Sequence, residues 1–274
     1  VTFEKIEINQ TDDGAVRLLQ VTDPHLFASE RTELLGVNTY RSFSAVIDAI
    51  AKDQSSFDYV LSTGDLSQDH TEESYRRFAD VVSLLNKPCF YLPGNHDQQQ
   101  HMQRLPEWGL MPQKHLISEH WQVIMLDTQV SGKPHGMLAD AELARLEAAL
   151  KAHPDKYVLI VMHHHTVPVG CKWLDQHDVK NAQDFFSIID GYPKVRGVLC
   201  GHVHQNFEFQ RGKLAVFASP STCIQFLPLS AAFALDHQQP GWRYIKLCRD
   251  GSISTRVRRL PDKSFLPDPK SKGY

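Results

Sequence analysis

Val16-Arg17-Leu18-Leu19-Gln20-Val21-Thr22-Asp23-Pro24-His25 is an apolar, strand-like run that ends on a carboxylate and an imidazole. Four later segments repeat that arrangement. Tyr59 to Ser62 leads into Gly64-Asp65, and Cys89 to Leu92 into Gly94-Asn95-His96-Asp97. Tyr157 to Met162 leads into His163-His164-His165, and Val195 to Cys200 into Gly201-His202-Val203-His204. Buried strands with chemistry at their C-terminal tips are the pattern of a parallel sheet whose site lies along one edge.

The segments between these strands read as helices. Asn38 is placed to cap one that carries Phe43, Val46, Ile47 and Ile50 at helical spacing. Thr71, followed by Glu72 and Glu73, starts a second with Tyr75, Phe78, Val81, Val82 and Leu85 along one stripe. Trp121 to Leu126 is a further strand, ending at Asp127. Asp140 is expected to cap a helix with Leu143, Leu146 and Leu150, and Asn181 the helix before Phe185-Phe186. The first half is therefore a β-α-β-α-β series. Leu214–Ala218, Ala231–Leu235, Trp242–Leu247 and Ser252–Val257 read as strands with short turns, an antiparallel extension of a second sheet. No linker or repeat divides the chain. The expectation is one domain over residues 1–274, with an extended, poorly packed tail from Pro261.

Composition narrows the function. Of 274 residues, 42% are hydrophobic and 22% charged, as in ordinary globular proteins. A net charge of −3 offers no basic field for nucleic acid. Arg256-Val257-Arg258-Arg259 reads as a solvated strand edge. Val-Thr-Phe-Glu-Lys-Ile-Glu at the start has no signal-peptide architecture, and no stretch approaches the roughly 20 apolar residues of a membrane span. Five cysteines without CxxC spacing, with Cys89, Cys200 and Cys248 in apolar runs, fit a reduced, cytoplasmic protein.

The five tips supply carboxylates, one amide and several imidazoles. That is a donor set for two metals about 3.5–4 Å apart, the apparatus of phosphoester hydrolysis. Asp23 and His25 are two apart, as are His202 and His204, and in extended backbone such pairs share a face. Asp-Pro and Gly-Asp are also common turns. Asp65 has two oxygens and can bridge two cations. Asn95 offers a hard, neutral oxygen, and His96 beside it can work as an acid. Asp97 is expected to cap the next helix. Strand alternation cannot send all of His163, His164 and His165 to one place, and His163 at the strand tip is preferred. Mixed O and N donors without thiolate suit Fe or Mn, and Zn²⁺ also. The cluster is not a structural zinc site, and neither His-Glu-x-x-His nor a Walker loop is present.

In this order, Asp-x-His, Gly-Asp, Gly-Asn-His-Asp, His and Gly-His-x-His resemble the signature of the calcineurin-like metallophosphoesterases, from about Val16 to His204. Leu34-Leu35-Gly36-Val37-Asn38, Val169-Gly170-Cys171-Lys172-Trp173-Leu174-Asp175, Pro220-Ser221-Thr222-Cys223 and Pro240-Gly241-Trp242-Arg243 resemble the bacterial class III 3′,5′-cyclic-AMP phosphodiesterases. That second resemblance covers nearly the whole chain, including its Gly273-Tyr274 end. It implies a four-layer α/β/β/α sandwich with a dimetal site at the strand tips. Asp23, His25 and His204 would hold the first ion. Asn95, His163 and His202 would hold the second, Asp65 would bridge them, and His96 would be the catalytic residue facing substrate. The triple histidine departs from a simple pattern.

The implied reaction is hydrolysis of 3′,5′-cyclic AMP to 5′-AMP by hydroxide bridging the two ions. The alternative is a broader phosphodiesterase or phosphomonoesterase on the same site. His25, Asp65, Asn95, His96 and His204 would surround the phosphate. Trp173, His135 and Ser221 are candidates for the nucleoside contacts. The expected partner is a cyclic nucleotide, with no nucleic acid or membrane, acting on a monomer or homodimer. A binding module on the same fold is the rival class, but such proteins lack motif residues and none is missing here.

Overall fold

The computed structural model describes residues 4–271 and 273; the Val1-Thr2-Phe3 start, Lys272 and Tyr274 of the resembling C-terminal pair lie outside them. In chain order the elements are β1 (Lys5–Glu7), β2 (Val16–Val21), the short pair β3 (Glu33–Leu34) and β4 (Val37–Asn38), α1 (Thr39–Lys52), β5 (Tyr59–Ser62), α2 (Glu72–Val82), β6 (Cys89–Tyr91) and α3 (Gln99–Met102). There follow β7 (His115–Ile117), β8 (Trp121–Met125), α4 (Asp140–Ala152), β9 (Tyr157–Met162), α5 (Ala182–Ile189), β10 (Val195–Cys200), β11 (Phe207–Arg211) and β12 (Leu214–Ala218). The chain ends with β13 (Gln225–Phe226), β14 (Leu235–Asp236), β15 (Gly241–Leu247) and β16 (Ile253–Arg259).

The first helices start where their caps place them. Asn38 Oδ1 accepts from Arg41 N at 2.9 Å, and Thr71 Oγ1 accepts from Ser74 N at 3.3 Å. Such caps contribute about 1 kcal/mol each. Phe43 of α1 stacks on Phe78 of α2 with ring centres 5.4 Å apart, closing the layer over the first sheet.

That sheet has the order β16-β15-β2-β5-β6, and the second has β1-β7-β8-β9-β10-β12-β11. β2, β5 and β6 run parallel, as do β8, β9, β10 and β12. Period-two alternation splits each strand between two cores. Leu18, Leu61 and Phe90 face Val123, Leu159, Val161 and Leu199 between the sheets. Leu19, Val21 and Val60 face the α1/α2 layer, and Ile124, Ile160 and Val198 face the α4/α5 layer. The result is an α/β/β/α stack with all five chemical tips at one end.

Several expectations need correction. β15 and β16 do not extend the second sheet: β15 pairs antiparallel with β2, so they extend the first, and β16 with its arginines is an exposed edge. Phe207–Arg211, not anticipated as a strand, is the antiparallel edge of the second sheet. Its burial is slight, so no apolar run marked it. Of Ala231–Leu235 only Leu235 enters a strand, a two-residue pairing with β13. Asp140 is the first residue of α4 rather than its cap. Asn181 stands at the N-cap of α5 but spends its amide on Leu138 N and O at 2.9 and 2.8 Å, tying two loops together. The tail lacks regular structure yet is not loose: Phe265 packs against both outer cores, and Asp268 N donates to Leu35 O at 2.8 Å.

Candidate metal centre

The expected face-sharing of Asp23 with His25, and of His202 with His204, rested on extended backbone, and the structure overturns that premise. Asp23, His25, Asp65, His202 and His204 all have left-handed backbone, with φ of 53°, 47°, 52°, 62° and 52°. Non-glycine residues adopt that region at a cost and seldom in clusters. Here the strands end and the chain turns sharply at each tip, which carries the five side chains inward.

They meet as two groups around one carboxylate. Asp23, His25 and His204 form the first: Asp23 Oδ1 lies 3.2 Å from His204 Nε2, and His25 Nε2 lies 3.3 Å from His204 Nε2. His163, Asn95 and His202 form the second. His163 Nε2 lies 3.1 Å from Asn95 Oδ1, and the His163 and His202 ring centres are 5.1 Å apart. Asp65 Oδ2 stands between, 3.8 Å from His25 Nε2 and 3.4 Å from His163 Nε2.

Tautomers make this a cation site. His163 Nδ1 donates to Thr63 O at 2.7 Å, and His204 Nδ1 donates to Ile224 O at 2.9 Å. A carbonyl only accepts, so Nδ1 carries a proton in both rings and Nε2 is the nitrogen turned inward. His25 Nδ1 meets Gln68 Oε1 at 2.8 Å in the same way. His25 Nε2 and His204 Nε2 are turned toward each other, 3.3 Å apart. His202 Nε2 is buried with no hydrogen-bond partner. Inward imidazoles oriented through their far nitrogens are how proteins fix metal ligands, so the residues fit a pair of divalent ions.

Burial, chiefly, and then neighbouring imidazoles hold His164 and His202 well below the ordinary range, so both are neutral. Burial likewise pulls His25 down to about 3 against the carboxylate of Asp65. At His163 burial is outweighed by the charge and hydrogen bond of Asp65, and the imidazole rises to about 9. The space between Asp65 and His163 therefore favours positive charge. His164 is closer to this centre than strand alternation allows: its ring centre is 4.7 Å from that of His202, because β9 stops at Met162 and alternation stops with it. His164 Nδ1 meets Thr128 Oγ1 at 2.8 Å, and His165 faces Asp175 at 3.6 Å.

The loops around Asp65 allow no extra atoms. Gly64 has φ 103°, and a Cβ there would lie 2.5 Å from His163 Nδ1 and 2.7 Å from Gly94 N. Gly64→Ala is expected to lower stability by about 1–3 kcal/mol from backbone strain alone, with further loss from the clash, measured as the urea midpoint. Asp97, expected as a helix cap, instead joins the Asp65 and Asn95 loops. Its carboxylate accepts from Leu66 N at 3.0 Å, Ser67 N at 3.2 Å and Gly94 N at 2.8 Å, while α3 begins without a side-chain cap. Burial and then the charge of Asp65 push Asp97 up to about 7.

Two cavities open beside the centre and share Asn95, His96 and Pro134. One of about 280 Å³ is lined by Asp65, Trp173, His177, His202, Phe226 and Phe233, with Gly273 of the tail at its rim. The other, of about 720 Å³, is lined mainly by polar residues, among them His70, Gln98, Gln129 and Lys133. Trp173 meets Phe226 and Phe233 edge to face, with ring centres 4.9 and 5.2 Å apart. His135 lines neither cavity. Ser221 lines neither cavity: it is fully buried, donates to Asp23 O at 2.7 Å and accepts from Cys223 N at 2.8 Å, so it sets the Asp23 turn. Sequence reasoning missed His177 and Phe233, which sit in irregular segments, and Phe226, whose two-residue strand is too short to show periodicity.

A family model described as calcineurin-like phosphoesterase matches residues 16–206. Proteins named 3′,5′-cyclic adenosine monophosphate phosphodiesterase CpdA from Vibrio vulnificus and Escherichia coli are 48% and 44% identical to this chain over 264 residues, covering 96% of each partner in the comparison. The protein of that name from Haemophilus influenzae is 43% identical, over 97% of this chain and 98% of its own. Among solved structures, a dimetal phosphatase from Danio rerio superposes with a TM-score of 0.56 at 14% identity, covering 89% of this chain and 98% of that one. A purple acid phosphatase from yellow lupin superposes with a TM-score of 0.61 at 12% identity, covering 92% of this chain and 53% of that one. These two likenesses are of fold.

Proposed function

The chain belongs to the calcineurin-like phosphoesterases, and from there we propose that it hydrolyses 3′,5′-cyclic AMP to 5′-AMP at a centre of two metal ions. One observation carries the proposal: Asp65 stands between two sets of inward-facing nitrogen and oxygen donors. The substrate follows from identities of 43–48% to cyclic AMP phosphodiesterases over nearly the full length.

In this reading Asp23, His25 and His204 hold one ion, Asn95, His163 and His202 hold the other, and Asp65 is shared. When bound, the ions would offset charge on the phosphoryl oxygens and lower the pKa of a water, the chemistry that phosphodiester hydrolysis needs. Nitrogen and oxygen donors without thiolate support Fe or Mn, with Zn²⁺ also suited. His96 faces both cavities and is placed to donate to a phosphoryl oxygen or to the departing 3′ oxygen. The purine lies against Trp173, Phe226 and Phe233, and His177 is a polar partner at the same wall. Trp173→Ala should raise KM for cyclic AMP roughly 5- to 150-fold, the worth of one base–aromatic stack, with kcat much less affected; steady-state kinetics checks the split.

The direct test is formation of AMP from cyclic AMP by the purified protein, abolished by chelation and restored by Mn²⁺. No AMP under metal-replete conditions sinks the proposal. The polar cavity beyond His96 favours a second reading, a wider range of phosphodiesters with a polar second arm. Turnover of a generic bis-aryl phosphodiester in place of cyclic AMP decides for it.

We also read residues 1–274 as one domain, supported by the core that the two sheets share. The described residues include no helix long and apolar enough to cross a membrane. Five free thiols, four of them buried, support a reducing, cytoplasmic setting.

A further inference from the structure

Gln20 is a fully buried polar residue next to the end of β2, whose other buried residues are all apolar. Its amide belongs to a chain of hydrogen bonds that crosses the interior to the candidate centre. Arg243 Nε donates to Ser219 Oγ at 3.2 Å, and Ser219 Oγ donates to Gln20 Oε1. Gln20 Nε2 donates to Thr63 Oγ1 at 2.8 Å. Thr63 Oγ1 donates to Thr22 Oγ1 at 2.6 Å, and Thr22 Oγ1 donates to Asp23 Oδ2 at 2.5 Å. All six residues are fully buried.

The direction of this chain is fixed at both ends. A guanidinium only donates, and a carboxylate only accepts. In the middle, Gln20 Nε2 also donates to Cys200 O at 3.0 Å, which rules out the flipped amide. Every hydroxyl proton must therefore point toward Asp23. Burying this many polar groups is unfavourable unless all are satisfied. Arg243 is held at its end by Glu208 Oε1 at 2.8 Å, Asn206 Oδ1 at 2.6 Å, Thr255 Oγ1 at 2.9 Å and Ala218 O at 3.0 Å.

We propose that the chain Arg243–Ser219–Gln20–Thr63–Thr22 is a positioning device for Asp23 that sets the affinity of one cation of the pair. The hydroxyl of Thr22 engages Asp23 Oδ2, while the amide of His202 lies 3.2 Å from both carboxylate oxygens, so it is Thr22 that distinguishes the two. Oδ1 is then turned toward His204 Nε2, 3.2 Å away. Successive donors polarise one another toward the carboxylate, so its orientation depends on groups as remote as Ser219.

The inference rests on the two-cation reading above. The test is Mn²⁺ binding to the metal-stripped full chain, by elemental analysis after dialysis and by competition with a chromophoric chelator. Thr63→Val, which keeps shape and removes the hydroxyl, and Ser219→Ala, which breaks the chain remotely, should each weaken one of two ions about 10- to 100-fold and leave the other close to its original affinity. Thr63→Ser should restore both. Far-UV circular dichroism confirms the fold of each variant, and Gln20→Leu replaces any that does not fold. Unchanged binding in Thr63→Val or in Ser219→Ala overturns the proposal, as does equal weakening of both ions. If the unaltered chain binds fewer than two ions, the two-cation reading itself has failed.

Discussion

Asp65→Asn should abolish phosphodiester hydrolysis, lowering kcat/KM on the order of 10³-fold or more, and should reduce bound metal from two ions to one or none. The substitution separates charge from fold. Asp65 Oδ1 accepts from His96 N at 2.8 Å, and the amide oxygen of an asparagine can keep that bond. What is lost is the negative charge at Oδ2, which faces His25 at 3.8 Å and His163 at 3.4 Å. A neutral amide oxygen can serve one cation but poorly offsets the repulsion between two. Elemental analysis and cyclic AMP turnover on the same preparation give the answer. A variant that binds two ions and turns over normally would remove Asp65 from its shared position and with it the two-ion centre as drawn.

The strand tips were legible because burial leaves a plain mark: Val16–Val21 and Tyr157–Met162 are apolar runs with polar residues just beyond. The caps at Asn38 and Thr71 were legible for a similar local reason. Two kinds of feature were not. Edge pairing is set by tertiary partners: β11 shows only the short alternation Phe207-Glu208-Phe209-Gln210 on mostly exposed residues, and nothing in β15 names β2 as its neighbour. Backbone handedness was also hidden. Nothing in Asp23-Pro24-His25 or His202-Val203-His204 announces left-handed residues at alternate positions, since only glycine advertises positive φ. The donors converge, but through turns rather than the extended alternation that the spacing implied.

Asp97 and Ser221 make the same point about function. Both are polar residues inside motif-like stretches, and both are spent on backbone groups that shape the loops. A sequence shows which residue types could do chemistry. Which are used up in holding the others depends on distances that only the folded chain sets. Gln20 is the converse: a residue outside every motif that three-dimensional contacts connect to the centre.

His96→Ala should lower kcat for cyclic AMP by about 10²- to 10⁴-fold, the range of a positioned proton donor, while leaving both ions bound. In the proposed centre His96 holds neither ion, although a ring nitrogen lies within 4.8 Å of donor atoms of His25 and Asp65. It meets His25 edge to face at 5.1 Å and lines both cavities. Burial lowers its pKa, against the pull of Asp65, so the ring is neutral near pH 7 and donates through one N–H. Two roles fit that donor, and they respond differently to the leaving group. If His96 delivers a proton to the departing 3′ oxygen, its loss should matter little for a nitrophenyl diester, whose phenolate leaves without help. If it stabilises charge on the phosphoryl oxygens, the defect should persist with both substrates. The ratio of the two kcat defects separates the roles, and full turnover of cyclic AMP by a metal-replete His96→Ala protein would exclude both.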